Sequence, residues 1–416
     1  MSTRGEHLLR GDRRFTTGGG TVARLAAPAF SKVLDEIDKR LLAGGMEATL
    51  PDGSVRRLGF RAPGPNAVVR LASWLALVRL ATSGSVGWYK AWTLGEWSSP
   101  DPVTVFESFS ANAVPLGDVG RAKGVFRWIN AAAHRLRDNA PGKARANIAA
   151  HYDLGNDFYS AWLDETMTYS SARFASPDDS LEDAQRRKVA LLLDRLSLRP
   201  GQRLLEIGCG WGGLAIDAAK RGAAVVGLTL STEQKAWADR RIAAAGLTDR
   251  VEIRLQDYRD TAEQFDAIAS VEMVEAVGQR WWGSYLDSIT RNLKPGGRAA
   301  LQFISIRHEL FDSYIRNPDF IQTYIFPGGA LLDEPRFEQL ARERGLSWEG
   351  REGFRFDYAE TLKRWRERYN RAISNGMLEG FAQPFHDLWR YYLMYCEGGF
   401  RGGAIDVAQV TTVKVG

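Results

Sequence analysis

Beyond residue 180 the apolar positions change period again and again, and each change marks an element. Leu181 to Ser197 repeats apolar residues at helical spacing, and Arg203 to Ile207 is a short apolar run of strand length. Leu214 to Arg221 reads as a helix and Ala223 to Leu228 as a strand. Thr232 to Ala245 is a helix, and Val251 to Leu255 and Phe265 to Val271 are strands. Trp282 to Leu293 is a helix, Lys294-Pro295-Gly296-Gly297 a turn, and Arg298 to Ile306 a strand. Strands alternating with helices predict an α/β fold with a doubly wound, mainly parallel sheet.

The earlier residues follow another pattern. Residues 1–22 are polar and glycine-rich and read as a flexible tail. Ala27 to Leu42 has helical periodicity, and Glu47 to Phe60 reads as a hairpin around Pro51-Asp52-Gly53. Ala67 to Thr82 fits a strand or a helix, and Gly84 to Trp97 is aromatic and glycine-rich. Val103 to Asn112 and Gly124 to Arg137 read as helices. The basic, polar stretch Arg135 to Asn147, with Pro141-Gly142 inside it, marks a boundary. The expected division is therefore a tail (1–22), a smaller α+β N-terminal domain (23–138) and a catalytic domain (139–416).

Composition narrows this little. The chain has 416 residues, 44% hydrophobic and 25% charged, with a net charge of +5. A modest basic excess suits an anionic membrane surface but is common among soluble enzymes. Thirteen tryptophans point to a large core or interfacial contacts. Two cysteines, Cys209 and Cys396, fit a reducing compartment. Met1 to Thr21 lacks the apolar core of a signal peptide, and the apolar tract Val68 to Val86 is broken by Arg70 and Arg79. Any membrane contact is therefore expected to be peripheral.

The candidate chemistry collects after the strands, where open α/β sheets bind ligands. Leu204-Leu205-Glu206-Ile207-Gly208-Cys209-Gly210-Trp211-Gly212 is a strand, a tight glycine turn and a helix start. Bare backbone at Gly208, Gly210 and Gly212 lets a ligand approach, and the helix start offers free N–H groups. The form Glu206-x-Gly-x-Gly-x-Gly resembles the first motif of S-adenosylmethionine-dependent methyltransferases. Thr229, Leu230 and Gln234 follow the next strand, where Ser231 or Thr232 also reads as a helix cap. Gln256 and Asp257 follow the third strand and would face an adenine. Glu272 and Glu275, set among apolar residues, follow the fourth.

Further motifs identify a family. His151-Tyr152-Asp153-Leu154-Gly155-Asn156-Asp157-Phe158-Tyr159 and Met167-Thr168-Tyr169-Ser170-Ser171-Ala172 resemble cyclopropane-fatty-acyl-phospholipid synthases. The glycine loop, Glu272-Met273-Val274-Glu275-Ala276-Val277-Gly278, Phe326-Pro327-Gly328-Gly329 and Gly398-Gly399-Phe400-Arg401 fall in family order. The resemblance implies a Rossmann-like methyltransferase domain and a smaller lipid-associated domain. It implies S-adenosylmethionine as cofactor, held by Tyr152, Tyr169, Ser170, Glu206, Gly208, Gly210, Gly212, Thr229, Leu230, Gln234, Gln256 and Asp257. The implied substrate is an unsaturated acyl chain of a membrane phospholipid, modified by an enzyme peripheral to the inner membrane face in the cytoplasm. A homo-oligomer is expected, and a flavin-dependent enzyme acting on the same lipid is a candidate partner.

An alkene attacking a sulfonium methyl leaves a carbocation, which a dry pocket with π faces stabilises. Tyr169, Phe174, Trp281, Trp282, Phe303, Tyr324, Phe326 and Tyr358 are the candidate faces, although each also fits an ordinary core. Loss of a proton from the new methyl closes a cyclopropane; loss elsewhere gives a methylene or a methyl-branched alkene. The resemblance implies a bicarbonate as proton acceptor, caged by a cysteine, a glutamate, a histidine, a backbone group and a tyrosine. Glu275, Tyr358 and the Ile304 backbone match three of these, whereas Ser171 and Gln302 stand for the cysteine and the histidine. Glutamine carries no proton at neutral pH, so the product is open between cyclopropane and methyl or methylene branch. His151 reads as a base or as a structural member of its motif. The remaining histidines show no metal-ligand spacing, so no metal is expected. No Asn/Asp-Pro-Pro-aromatic motif of a nucleic-acid methyltransferase is present. A small-molecule methyltransferase is the alternative.

Overall fold

The computed structural model describes residues 4–9, 27–117 and 154–415, with side chains from residue 31 in the first helix. Helix Ala27–Arg40 (α1) precedes the expected hairpin, which forms from Gly45–Thr49 (β1) and Val55–Gly59 (β2). Its turn is held by Asp52, whose Oδ1 accepts the Ser54 N–H at 3.0 Å. The undecided stretch from Ala67 to Thr82 is both strand and helix. Asn66–Leu71 (β3) pairs parallel with β1, and Leu75–Thr93 (α2) follows, kinked where Gly84 takes φ 58°. The aromatic, glycine-rich segment is thus the second half of α2. It leads to Trp97–Ser98 (β4), which closes a sheet of order β2-β1-β3-β4. Trp97 stacks on Trp88 at 4.4 Å and donates its Nε1–H to the Trp88 carbonyl at 2.9 Å. Pro102–Ala111 (α3) starts on Asp101, whose side chain accepts the Val103 N–H.

The α/β pattern then appears as expected. Leu181–Leu196 (α4), Arg203–Ile207 (β5), Gly213–Lys220 (α5), Ala224–Thr229 (β6), Thr232–Ala244 (α6), Val251–Leu255 (β7), Phe265–Val271 (β8) and Trp282–Asn292 (α7) follow in order. Leu293–Ile306 (β9) absorbs the predicted turn as a bulge: its register jumps from Phe265↔Leu293 to Ala267↔Arg298, leaving residues 294–297 unmatched. His308–Arg316 (α8), Glu334–Arg342 (α9), Glu349–Gly353 (β10), Arg355–Ser374 (α10), Gln383–Gly402 (α11) and Ile405–Val413 (β11) follow, with short single-turn helices between the longer elements. The large sheet has the order β10-β11-β9-β8-β5-β6-β7. Strands β9, β8, β5, β6 and β7 run parallel, and β10 is antiparallel to β11. Small strand residues such as Ala267, Ala269 and Ala300 make room for Leu192, Leu196 and Leu204 in one fully apolar cluster. This is the expected doubly wound α/β architecture, with a smaller α+β part before it.

The chain forms two compact units, and they differ from the expected division. The first takes residues 1–137, 307–327 and 379–405; the second takes 138–306, 328–378 and 406–416. Helices α8 and α11 join the N-terminal elements. The reason is packing: a Cβ on Gly398 or Gly402 of α11 would come within 2.5 Å of Phe106 or of the Glu107 carbonyl on α3. The two helices therefore meet backbone to backbone. Most of the tail and the Gly124 to Arg137 helix lie outside the described residues, as does the Arg135 to Asn147 stretch. Among the described residues, no helix is long and apolar enough to cross a membrane.

Candidate active site

The glycine loop is built by backbone geometry. Gly208, Gly210 and Gly212 take φ of 83°, 52° and 81°, in the left-handed region that side chains resist. A Cβ at Gly208 would lie 2.8 Å from Met273, whereas one at Gly210 would meet no protein atom within 4 Å. The Gly210 side of the loop thus opens onto free space beside the N-terminus of α5. Glu206, at the end of β5, is buried, and its Oε2 has no hydrogen-bond partner among the described residues. Burial pushes its carboxyl up to about 8 against the charge of Lys188. An orphaned carboxyl oxygen beside an open glycine turn fits a polar ligand with hydroxyl or amino groups, as S-adenosylmethionine has. Trp211 holds the loop from outside: its Nε1–H donates to Asn156 Oδ1 at 2.7 Å.

The next two strand ends are organised internally. Thr229 Oγ1 donates to Gln234 Oε1 at 2.8 Å, and Ser231 Oγ accepts the Gln234 N–H as the cap of α6. The capping expectation therefore holds alongside the candidate site, and Leu230 is half-buried beside it. Gln256 donates to Thr261 Oγ1 at 3.1 Å. Asp257, expected to face an adenine, has both oxygens on the Arg259 guanidinium at 2.9 and 2.6 Å. It shapes that loop first of all.

The fourth strand end holds the densest polar cluster. Glu272 accepts three hydrogen bonds: Ser171 N–H at 2.9 Å and Gln302 Nε2 at 2.7 Å on Oε1, and the Tyr358 hydroxyl at 2.6 Å on Oε2. Gln409 of β11 donates to Gln302 Oε1 at 3.0 Å and so fixes which way that amide points. Glu275 Oε1 accepts the Ile304 N–H, while its Oε2 is buried and has no hydrogen-bond partner among the described residues. Burial, reinforced by the Glu272 charge, pushes Glu275 up to about 8. Burial also raises Glu272, but its three donors oppose the shift. Donors favour the ionised form, so the geometry makes Glu272 the carboxylate and Glu275 the carboxylic acid at neutral pH.

Behind them lies a residue that sequence reasoning missed. Lys188 is buried on α4, and its Nζ donates to Ser170 Oγ at 2.7 Å. Burial lowers it to about 8 against the pull of Glu272, Asp164 and Glu206. Gln185, one turn earlier, donates to the Ser170 carbonyl at 2.8 Å. Both sit on the apolar stripe Leu181, Ala184, Val189, Leu192, and that misplaced polarity was the readable signal.

Of the other expected residues, His151 and Tyr152 lie outside the described residues. Tyr169 packs among Tyr159, Trp162 and Trp365. Trp282 and Phe303 are core residues around Phe337. Phe174 and Trp281 carry arginine guanidiniums over their faces. Tyr324 and Phe326 belong to the first unit, against Tyr89 and Tyr392. Among these faces, only Tyr358 is bonded into the carboxylate cluster.

The family model for mycolic acid cyclopropane synthetase matches residues 140–410, a span that contains every strand end described above. The chain belongs to this family. Like the cyclopropane synthase family as a whole, it is an S-adenosylmethionine-dependent methyltransferase. It is 40% identical over 350 residues to the tuberculostearic acid methyltransferase of Mycobacterium tuberculosis, covering 81% of each chain. It is 39% identical to the cyclopropane-fatty-acyl-phospholipid synthase of Escherichia coli, over 65% of this chain and 69% of that one. The structure of the cyclopropane synthase MmaA2 from Mycobacterium tuberculosis superposes with a TM-score of 0.61 at 31% identity, covering 65% of this chain and 98% of that chain. The mycolic acid cyclopropane synthase CmaA1, complexed with SAH and CTAB, gives 0.61 at 32%, with the same coverage.

Within this family the bicarbonate cage is the point of disagreement. The groups expected around the ion have partners inside the protein. Ser171 Oγ donates to the Ala172 carbonyl, and Ile304 N–H donates to Glu275. Gln302 and Tyr358 donate to Glu272. The residues present do not fit a bicarbonate held in that way.

Proposed function

We propose that this enzyme transfers a one-carbon unit to the double bond of an unsaturated fatty acyl chain of membrane phospholipid, through a carbocation. The observation that carries the reading is the Glu272–Glu275 pair: two carboxyls at one strand end, one accepting three hydrogen bonds and the other with a buried oxygen that has no partner among the described residues. S-adenosylmethionine, when bound, supplies an electrophilic methyl that even a weakly nucleophilic alkene can attack. The chain's own residues do the rest. Glu206 and the glycine turn hold the cofactor side, and the Glu272 carboxylate offers fixed negative charge to a positive centre. Tyr358 adds an aromatic ring whose hydroxyl donates to that carboxylate. The relatives support a lipid substrate: one is a cyclopropane-fatty-acyl-phospholipid synthase and another a tuberculostearic acid methyltransferase.

On this reading the enzyme works at the cytoplasmic face of the membrane as a peripheral protein. It is expected to do so as a homo-oligomer, with a flavin-dependent enzyme processing an unsaturated branched product. The test is to incubate the protein with methyl-labelled S-adenosylmethionine and mono-unsaturated phospholipid vesicles, then analyse the fatty acids by gas chromatography and mass spectrometry. Label gained by the acyl chain supports the reading. A mass gain of CH2 that survives mild hydrogenation identifies a cyclopropane; one that hydrogenates to a branched chain identifies a methyl or methylene product. No label in lipid overturns the reading and favours a soluble small-molecule acceptor.

A further inference from the structure

We infer that Glu272 is the built-in proton acceptor of this enzyme, its carboxylate standing where the family resemblance puts a bound bicarbonate. The inference rests on the carbocation reading above and goes one step further.

Three observations converge. The first is the donor set. Ser171, Gln302 and Tyr358, three positions expected to surround an exchangeable anion, all donate to a carboxylate that belongs to the chain. The second is burial. Ser171, Gln302 and Tyr358 are buried, whereas Glu272 as a residue is half-buried at the strand end. Its Oε1 accepts two hydrogen bonds and Oε2 one, which leaves Oε2 the more basic oxygen. The third is strain. Glu272 takes φ 48°, one of four described non-glycine residues with positive φ. An L-residue there pays about 1–2 kcal/mol. Such strain persists where surrounding interactions over-determine it, and these gather at functional sites. Glu272 N–H donates to the Gln302 carbonyl at 2.7 Å, so its backbone and its side chain lock onto the same residue.

The step balances without another reactant. A C–H bond of the methylated cation breaks, and its electron pair closes a C–C bond to the cationic carbon or forms a double bond. The proton goes to Glu272 Oε2, turning carboxylate and cation into carboxylic acid and neutral lipid. Glu275, already protonated, is not available for this role. Lys188 and Glu275 are the charged or titratable neighbours that set the field at Glu272.

The experiment has two arms. In the first, methyl transfer is measured in buffer purged of carbon dioxide and again with added bicarbonate. Wild-type rates should agree within about twofold; a tenfold or greater requirement for bicarbonate overturns the inference. E272Q should lose about a hundredfold or more, the usual contribution of a general base, while melting and S-adenosylmethionine affinity stay near wild type. E272Q retaining wild-type rate overturns it equally. E272G relieves the backbone strain and empties the cage, and added bicarbonate or formate should restore much of its rate. The second arm needs no turnover: 13C-bicarbonate is titrated and followed by NMR. Broadening should appear with E272G and not with wild type; bicarbonate bound to wild type overturns the inference. If wild type transfers no label to lipid, the lipid reading fails, and the NMR arm still decides what occupies the cage.

Discussion

The strand ends of one sheet divide into two kinds. At β6 and β7 the polar side chains are paired among themselves: Thr229 with Gln234, Gln256 with Thr261, Asp257 with Arg259. At β5 and β8 single carboxyl oxygens, on Glu206 and Glu275, are buried without a partner among the described residues, and both carboxyls are pushed up to about 8. Buried polar groups left unmatched cost about 1–3 kcal/mol each. The first kind of end is shaped before any ligand arrives; the second is completed by one. Self-satisfied pairs fix the shape of a loop, whereas an unmatched carboxyl oxygen leaves a hydrogen-bonding group unused.

Three substitutions would break or sharpen that contrast. The largest effect is expected at the open side of the glycine loop. Gly210→Ala adds one methyl that meets no protein atom within 4 Å, at a φ of 52° that itself costs an L-residue about 1–2 kcal/mol. S-adenosylmethionine affinity measured by calorimetry should fall about a hundredfold, or ~2.7 kcal/mol. Unchanged affinity would move the ligand away from this loop. Next is Lys188→Met, which removes the cation buried among Glu206, Glu272 and Asp164. Chemical denaturation should show a loss of about 3 kcal/mol at neutral pH, and the acid limb of the rate profile should shift upward as Glu272 loses its counter-charge. A shift downward would contradict the assignment.

The smallest effect is a matter of sign. Glu275 is raised from 4.5 to about 8 in the folded protein, so the native state binds the extra proton. Its neutral form is tolerated below about pH 4.5, and stability is lost as pH climbs from there towards 8. Glu275→Gln abolishes that loss. Melting curves from pH 5 to 9 should show the variant gaining on wild type as pH rises, with most of the gain between pH 5 and 8. A gap independent of pH would mean that Glu275 is ionised throughout.

How much of this was legible beforehand follows from what a linear pattern records. Alternating periods reveal strands such as Phe265–Val271 and the helix Leu181–Leu196, because burial on one face leaves a repeating trace. Glycine spacing reveals the turn at Gly208 to Gly212. The two carboxyls at 272 and 275 were visible as a pair, but their division of labour was not. It depends on donors 101, 30 and 86 residues away in sequence. Lys188 was hidden for a similar reason: its partner Ser170 lies 18 residues earlier, outside its own helix. Asp257 has a partner the linear pattern did not show, an arginine two residues on.

The way the chain is shared between its units also limits how it can be cut. It changes unit at 137/138, 306/307, 327/328, 378/379 and 405/406. Helix α11 seats Tyr391 against Tyr89, Phe106 and Phe320, and presses Gly398 onto α3. A truncation that begins at 139 keeps α11 and discards α2 and α3, so it lays bare a face of aromatic rings and naked backbone. The two units are sewn together rather than strung in series, and neither can be harvested with a single cut.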